Sequence, residues 1–269
     1  MEVRPKGFQV LPFPAMRETV VDVLRAAARK HMVHLLLEVD VTAARRFLRE
    51  YKARAGESLS FTALIVKCLA QAVVENKLLN AYRQGRRKLL VFDDVDVDTM
   101  VEREVCGLRM TTPNVIRAAD RKTFRQIHEE IRSAQASTVE AVQSMESFRW
   151  AARLAHVPPP IRSLLWRALA GNPHVLKKFA GTVAVASVGM YGMRGGWGIP
   201  IALNTTNVVV GGISEKPGIV EGRIEAREYL CLTVSVDHDI VDGALAARFI
   251  ARFSELIEGA FGLAEAGVP

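Results

Sequence analysis

The residues best suited to chemistry lie near the end of the chain, in Ser235-Val236-Asp237-His238-Asp239-Ile240-Val241-Asp242-Gly243. A histidine followed four residues later by an aspartate and a glycine is a plausible general-base arrangement. Imidazole titrates near neutrality, and a tight turn orients it better than a long loop. By chance, His-x-x-x-Asp-Gly should occur in roughly one chain of this length in fifty, so the rest of the sequence has to support the reading.

The flanking elements do so. Tyr229-Leu230-Cys231-Leu232-Thr233-Val234 is β-branched and apolar, the pattern of a buried strand. Ala244 to Phe253 has helical spacing, and Asp242 stands where it would cap the first turn. The histidine is thus expected to leave a strand end and the aspartate to open a helix.

The bulk composition narrows the function classes. The chain has 269 residues, 49% of them hydrophobic, enough for a substantial core in one domain spanning 1–269. Cys68, Cys106 and Cys231 are widely spaced and form no CxxC pair, which points to a reducing, cytoplasmic setting. The six histidines form no ligand-spaced cluster with cysteines or carboxylates, so no metal is expected; His31 and His34 read as a helix-end pair. No signal peptide and no bilayer-spanning run is expected. The net charge of +7 suits a polyanionic small molecule as well as nucleic acid or a membrane surface. Without a recognisable module or stacking aromatics, nucleic acid is not expected.

Along the chain, helices are expected over Arg17–Lys30, Ala43–Ala53 with Thr42 as its cap, Phe61–Asn76 capped by Ser60, and Arg121–Ala136. The third is apolar nearly all round and should be buried. Strands are expected over Val33–Val41, Leu89–Phe92, Val95–Met100, Val183–Val188, Asn207–Ile213 and Tyr229–Val236. Strands and helices do not alternate regularly, so the fold class is α/β (α+β), a mixed sheet covered by helices. Residues 145–180 hold six Arg or Lys against one Glu and two of the three tryptophans around Pro158-Pro159-Pro160. This stretch reads as a helical insertion that caps the domain or meets a subunit, or else docks a partner or an anionic membrane.

Assembled, the motifs resemble the catalytic domain of the dihydrolipoamide acyltransferases of 2-oxo acid dehydrogenase complexes, within the chloramphenicol-acetyltransferase-like superfamily. The resemblance is carried over about residues 15–258 by several segments in order. They are Glu38 to Thr42, Leu59-Ser60-Phe61 with Lys67 and Leu79-Asn80-Ala81, Val97-Asp98-Thr99, Val115 to Lys122, Gly181 to Gly189, Asn207 to Gly212, and the closing Asp237-His238-x-x-x-Asp242-Gly243.

The resemblance implies a homotrimer with active sites between subunits, acyl-coenzyme A as a substrate and a lipoyl-carrying protein as a partner. It implies that His238 is the base and that Asp242 organises the histidine loop through an arginine, for which Arg17, Arg25 and Arg29 are candidates. Ser187 is implied near the reacting thioester, and Arg49, Ser60, Asp98, Ser187 and Gly211 at coenzyme A.

The chain departs from the family's pattern in four places. Ala186 stands where the family usually has the Ser or Thr that stabilises the oxyanion, and Ser187 should face the other way on a strand. Asp239 replaces the usual Arg, and a second acid near His238 would favour the imidazolium. The 145–180 insertion is foreign to the pattern. No lipoyl or peripheral-subunit-binding segment is expected on this chain, hence no covalently bound lipoyl group. Ala186 and Asp239 also motivate a second reading, a weakly active or inactive homologue acting as a trimeric scaffold.

Overall fold

The computed structural model describes residues 7–105, 108–137, 149, 153–154, 157–188 and 195–266. The Met145-to-Trp150 part of the insertion (Arg149 apart), Cys106 and Gly189 lie outside the described residues.

The helices are α1 (Ala15–Ala27), α2 (Thr42–Ala55), α3 (Phe61–Val74), α4 (Phe124–Ala136), α5 (Pro159–Ala170), α6 (Pro173–Ala180) and α7 (Gly243–Glu258). The strands are β1 (Met32–Asp40), β2 (Ala81–Gln84), β3 (Lys88–Val91), β4 (Val97–Val105), β5 (Leu108–Ile116), β6 (Val183–Ser187), β7 (Thr206–Val220) and β8 (Arg223–Asp237). Six of them form one sheet in the order β1-β8-β7-β6-β4-β5, while β2 and β3 pair separately. The pairs β4/β6 and β6/β7 are parallel and the other pairs in this sheet antiparallel, the mixed sheet expected.

Strand β8 is central and buried from Leu230 to Asp237. Within it Leu230, Leu232, Val234 and Val236 alternate with Cys231, Thr233, Ser235 and Asp237, so both faces are buried although only one is wholly aliphatic. Alternate residues Leu230, Leu232, Val234 and Val236 meet Val183, Val185, Val208 and Val210 in one core cluster. That cluster is closed by α3 and α7 through Leu64, Leu69, Phe249 and Phe253, and by Phe124 and Ile127 of α4. Helix α3 is buried at Ala63 to Ala70, Ala72 and Val73, as its all-round apolarity requires. The opposite face of the sheet is partly covered by a smaller cluster of Ala27, Tyr82, Leu176 and Leu203.

Several boundaries differ from the sequence reading for local reasons. Strands β7 and β8 run on as a hairpin beyond Ile213, through a segment whose Ser214-Glu215-Lys216-Pro217-Gly218 looks like a turn. The actual turn is Glu221-Gly222, both at positive φ (49° and 78°), the conformation that matches the twist of a two-residue hairpin. Strand β5 carries no clear strand pattern, because Arg109, Thr111, Thr112, Pro113 and Asn114 dilute it. As an edge strand it tolerates the proline.

Helix α4 starts at Phe124 rather than Arg121, fixed by a capping box in which Thr123 and Gln126 satisfy each other's backbone N–H. Thr42 is not the cap of α2: it is the first helical residue, and Asp40 Oδ1 accepts from both its N–H (2.9 Å) and its hydroxyl (2.6 Å). His31 and His34 share no helix face. His31 precedes β1, and His34 lies within it.

Within the 145–180 stretch, α5 packs on α1 around Arg162, whose buried guanidinium donates to Asp22 and Glu18. Its outer side leaves Ile161, Leu164 and Leu165 exposed. No helix among the described residues is long and apolar enough to cross a membrane.

Candidate active site

Strand β8 ends at Asp237, and the chain turns through His238, Asp239 and Ile240 before α7 begins. The turn is held by backbone bonds on both sides. Asp237 N–H donates to Thr205 C=O (2.9 Å), His238 N–H donates to His31 C=O (2.9 Å), and the N–H groups of Ile240 and Val241 both donate to Asp237 C=O (3.0 Å each). Asp242 is the N-cap of α7, its Oδ1 accepting from Leu245 N–H at 2.8 Å. A fixed strand end and a capped helix therefore bracket His238, whose side chain is exposed.

The side chains flanking His238 are anchored by groups that sequence reasoning did not assign. Lys30 Nζ donates to Asp237 Oδ2 at 2.8 Å. His31 Nδ1 stands 2.9 Å from Asp239 Oδ1, and Arg83 donates to Asp239 Oδ2 at 2.9 Å. The hydrogen bond from His31, helped by Arg83, holds the Asp239 carboxyl below the usual carboxylate range. Asp239 is thus turned toward these partners. Asp242 makes no ion pair among the described residues, and of the arginines considered for it, Arg25 lies against Asp22 at 3.4 Å. The loop is organised by Lys30, His31 and Arg83 instead. Lys30 ends the first helix expected from the sequence and His31 follows it, at a point only 3D proximity to residue 237 could mark; Arg83 carries no sequence signal.

The face of the sheet away from the main core carries a polar row. By register, Asp98, Ala184, Asn207, Ser235 and His34 are successive neighbours across β4, β6, β7, β8 and β1. His34 Nδ1 stands 2.8 Å from Ser235 Oγ. Asp98 Oδ1, Asn207 Oδ1 and the Thr233 hydroxyl are buried and have no hydrogen-bond partner among the described residues. Such groups are rare in folded proteins, and here several share one face. Burial pushes the Asp98 carboxyl up to about 7, against the opposing pull of the Asn114 N–H and the Arg117 charge.

The remaining candidates divide into two groups. Ser187 and Gly211 lie on the adjacent strands β6 and β7, and Asp98 on β4, the other neighbour of β6. Alternation puts Ser187 with Val183 and Val185, the core-facing set, and puts Ala186 with Ala184 on the polar-row face. At Gly211 a Cβ would stand 2.2 Å from the Gly196 carbonyl oxygen and 2.8 Å from that of Cys231, so the crossing of the two chains demands glycine.

Arg49 and Ser60 belong to other polar groups. Arg49 pairs with Glu228 at 2.9 Å beside Arg45. The Ser60 hydroxyl caps α3, accepting from Ala63 N–H at 3.3 Å, while its own N–H donates to Nδ1 of buried His128 at 3.0 Å. His128 Nε2 in turn faces Glu57, which Arg125 grips through both oxygens. No group of histidine, cysteine or carboxylate side chains that could hold a metal occurs among the described residues.

Comparison with known proteins fits this architecture. The chain is 23% identical over 259 residues to the lipoamide acyltransferase component of the branched-chain alpha-keto acid dehydrogenase complex of Bacillus subtilis, covering 94% of this chain and 53% of that protein. It spans about half the length of the curated relatives it matches. Among solved structures, a probable dihydrolipoamide acetyltransferase from Listeria monocytogenes superposes with a TM-score of 0.69 at 23% identity, covering 95% of this chain and 97% of that one. A truncated catalytic core of the 2-oxoacid dehydrogenase multienzyme complex from Thermoplasma acidophilum gives 0.66 at 22% identity, covering 94% and 100%. These superpositions establish the fold. The family model for the 2-oxoacid dehydrogenases acyltransferase (catalytic domain) matches residues 5–149 and 159–264, taking in the histidine turn, the polar row and helices α5 and α6, and the chain belongs to that family.

Proposed function

We propose that this chain moves an acyl group between coenzyme A and a thiol of the dihydrolipoyl type or another small acceptor, with His238 as general base. The observation that carries this reading is an exposed imidazole on a turn pinned by backbone bonds to His31 and Thr205 and by a capped helix. A base needs this combination of access and fixed aim.

The neutral imidazole takes the proton of the incoming thiol, and the thiolate attacks the thioester carbonyl. The tetrahedral oxyanion collapses with cleavage of the original C–S bond, and the departing thiolate takes up the proton now held by the imidazolium. A thioester is already activated, so neither a metal nor a covalent enzyme intermediate is required by the chemistry. The basic excess of the chain favours a polyanionic substrate such as acyl-coenzyme A. We further propose that the protein works as a homotrimer in the cytoplasm and takes its acceptor from a lipoyl-carrying protein.

The test is thiol release from acetyl-, propionyl- and branched-chain acyl-coenzyme A with dihydrolipoamide as acceptor. His238→Ala should lower kcat by about 10²–10⁴-fold while leaving the unfolding midpoint unchanged. A second reading, a trimeric scaffold with a retired site, is favoured by one observation: Ala186 rather than a hydroxyl residue faces the polar row. Coenzyme A binding by calorimetry without turnover on any acceptor would select it.

A further inference from the structure

Three consecutive residues at the end of β8 are gripped by two consecutive residues ahead of β1. Lys30 holds the Asp237 carboxylate, the His31 carbonyl accepts from His238 N–H, and the His31 ring meets the Asp239 carboxylate. The other Asp239 oxygen accepts from Arg83 on β2, and Asp239 N–H donates to Asp237 Oδ1 at 3.2 Å. We propose that Asp239 is a positioning residue: by spreading its two oxygens between His31 and Arg83 it ties the histidine turn to β1 and β2 and so aims the His238 imidazole. The proposal rests on His238 being the base of the acyl transfer described above.

Two features favour positioning over a direct electrostatic effect on the imidazole. Both carboxylate oxygens are engaged by partners on other elements, so the charge is matched locally by Arg83, with Lys30 matching Asp237 next door. The side chains of the clamp are also well exposed, at 79% for His31, 47% for Arg83 and 35% for Asp239. Exposed pairs add little to global stability. The clamp therefore has a local effect, fixing the residue bonded directly to His238, while the fold is carried by the core beneath.

The experiment compares Asp239→Ala, Arg83→Gln and the double variant in the thiol-release assay. Expected for Asp239→Ala is a fall in kcat of about tenfold, with KM for acyl-coenzyme A within about twofold, because misaim costs rate more than binding. The acid limb of the pH–kcat/KM profile should stay in place, and Tm should move by no more than about 2 °C. The double variant should fall no further than the worse single one, since both break the same clamp. An unchanged kcat would overturn the proposal. So would an acid limb displaced to lower pH, the mark of a charge acting directly on the imidazole.

Amide hydrogen exchange over residues 237–241 reads the clamp without any activity. Asp239→Ala should speed it about tenfold or more, while the amides of β8 from Leu230 to Val236 keep their rates. Unchanged exchange in the turn would overturn the proposal by itself. Absence of turnover by the wild type would instead reject the acyltransferase reading, and the exchange data would still report whether Asp239 anchors the turn.

Discussion

The two faces of the six-stranded sheet are built from the same strands and differ in almost everything else. On one, Val183, Val185, Val208, Val210, Val234 and Val236 disappear beneath α3 and α7. On the other, Asp98, Ala184, Asn207, Ser235 and His34 line up across five strands, and Asp98 Oδ1 and Asn207 Oδ1 are buried with no hydrogen-bond partner among the described residues. A period of two residues lets one sequence serve both ends, since every second position can be spent on packing and the rest on polar chemistry. The contrast teaches that aliphatic packing and buried polar groups are sorted here by parity along a strand, not by distance.

The sharpest way to break this comparison is to attack each face alone. Phe249→Ala removes a fully buried ring that stacks on Phe253 at 5.6 Å between centroids, and should cost about 3–5 kcal/mol by denaturant unfolding. A loss well below 1 kcal/mol would mean that the helix-covered face is not where the fold's stability resides.

Next in size is the pH response of Asp98. In the folded chain its carboxyl holds its proton up to about pH 7, against an ordinary value of 3.8. Between those values the folded state binds more protons than the unfolded one. Stability therefore falls as pH rises through this window, fully present below about pH 4 and fully lost above about pH 7. Asp98→Asn should remove that slope and gain up to about 4 kcal/mol at pH 8 relative to wild type, seen by comparing unfolding midpoints at pH 5 and pH 8. An identical slope in the variant would show that Asp98 ionises as an ordinary surface carboxylate.

The smallest expected effect sharpens the comparison rather than breaking it. Ala186→Ser places a hydroxyl on the polar-row face, where the family pattern has one, and should raise kcat by about tenfold in the transfer assay without altering stability. Ser187→Ala, one residue on but facing the core, should leave kcat within about twofold. A reversal of the two would mean that β6 is bulged and the parity argument fails there.

Much of this was legible in the sequence, and where it was not the reasons are physical. The mixed, helix-covered sheet, the buried α3, the Ser60 and Asp242 caps and the strand-to-turn placement of His238 all depend on local periodicity and capping, which the chain writes plainly. The second half of the β7–β8 hairpin was hidden because exposed strands carry polar and turn-forming residues. Among the described residues no arginine pairs with Asp242. The loop is held instead by Lys30, His31 and Arg83, contacts between residues 156 to 208 positions apart that no local pattern encodes. Asp239 looked like an unfavourable neighbour for a base, because a sequence shows that two groups are adjacent without showing which way a carboxylate points. Arg49 and Ser60 were named on resemblance, and each makes an ordinary structural contact with Glu228 or with the start of α3.

The grip of Lys30 and His31 on residues 237–239 has a consequence for how the protein comes into being. Those partners stand 207 and 208 positions apart in sequence, so the loop they close takes in most of the 269-residue chain. Long closures are slow to form, and during synthesis the early partners emerge far ahead of the late ones. A growing chain can pair β4 with β5 well before it has a histidine turn, whereas α3 lacks its partner α7 until the residues after the turn have emerged. The histidine turn can therefore be fixed only once the β7–β8 hairpin has closed against β1, and a chain clipped before residue 237 lacks the turn altogether.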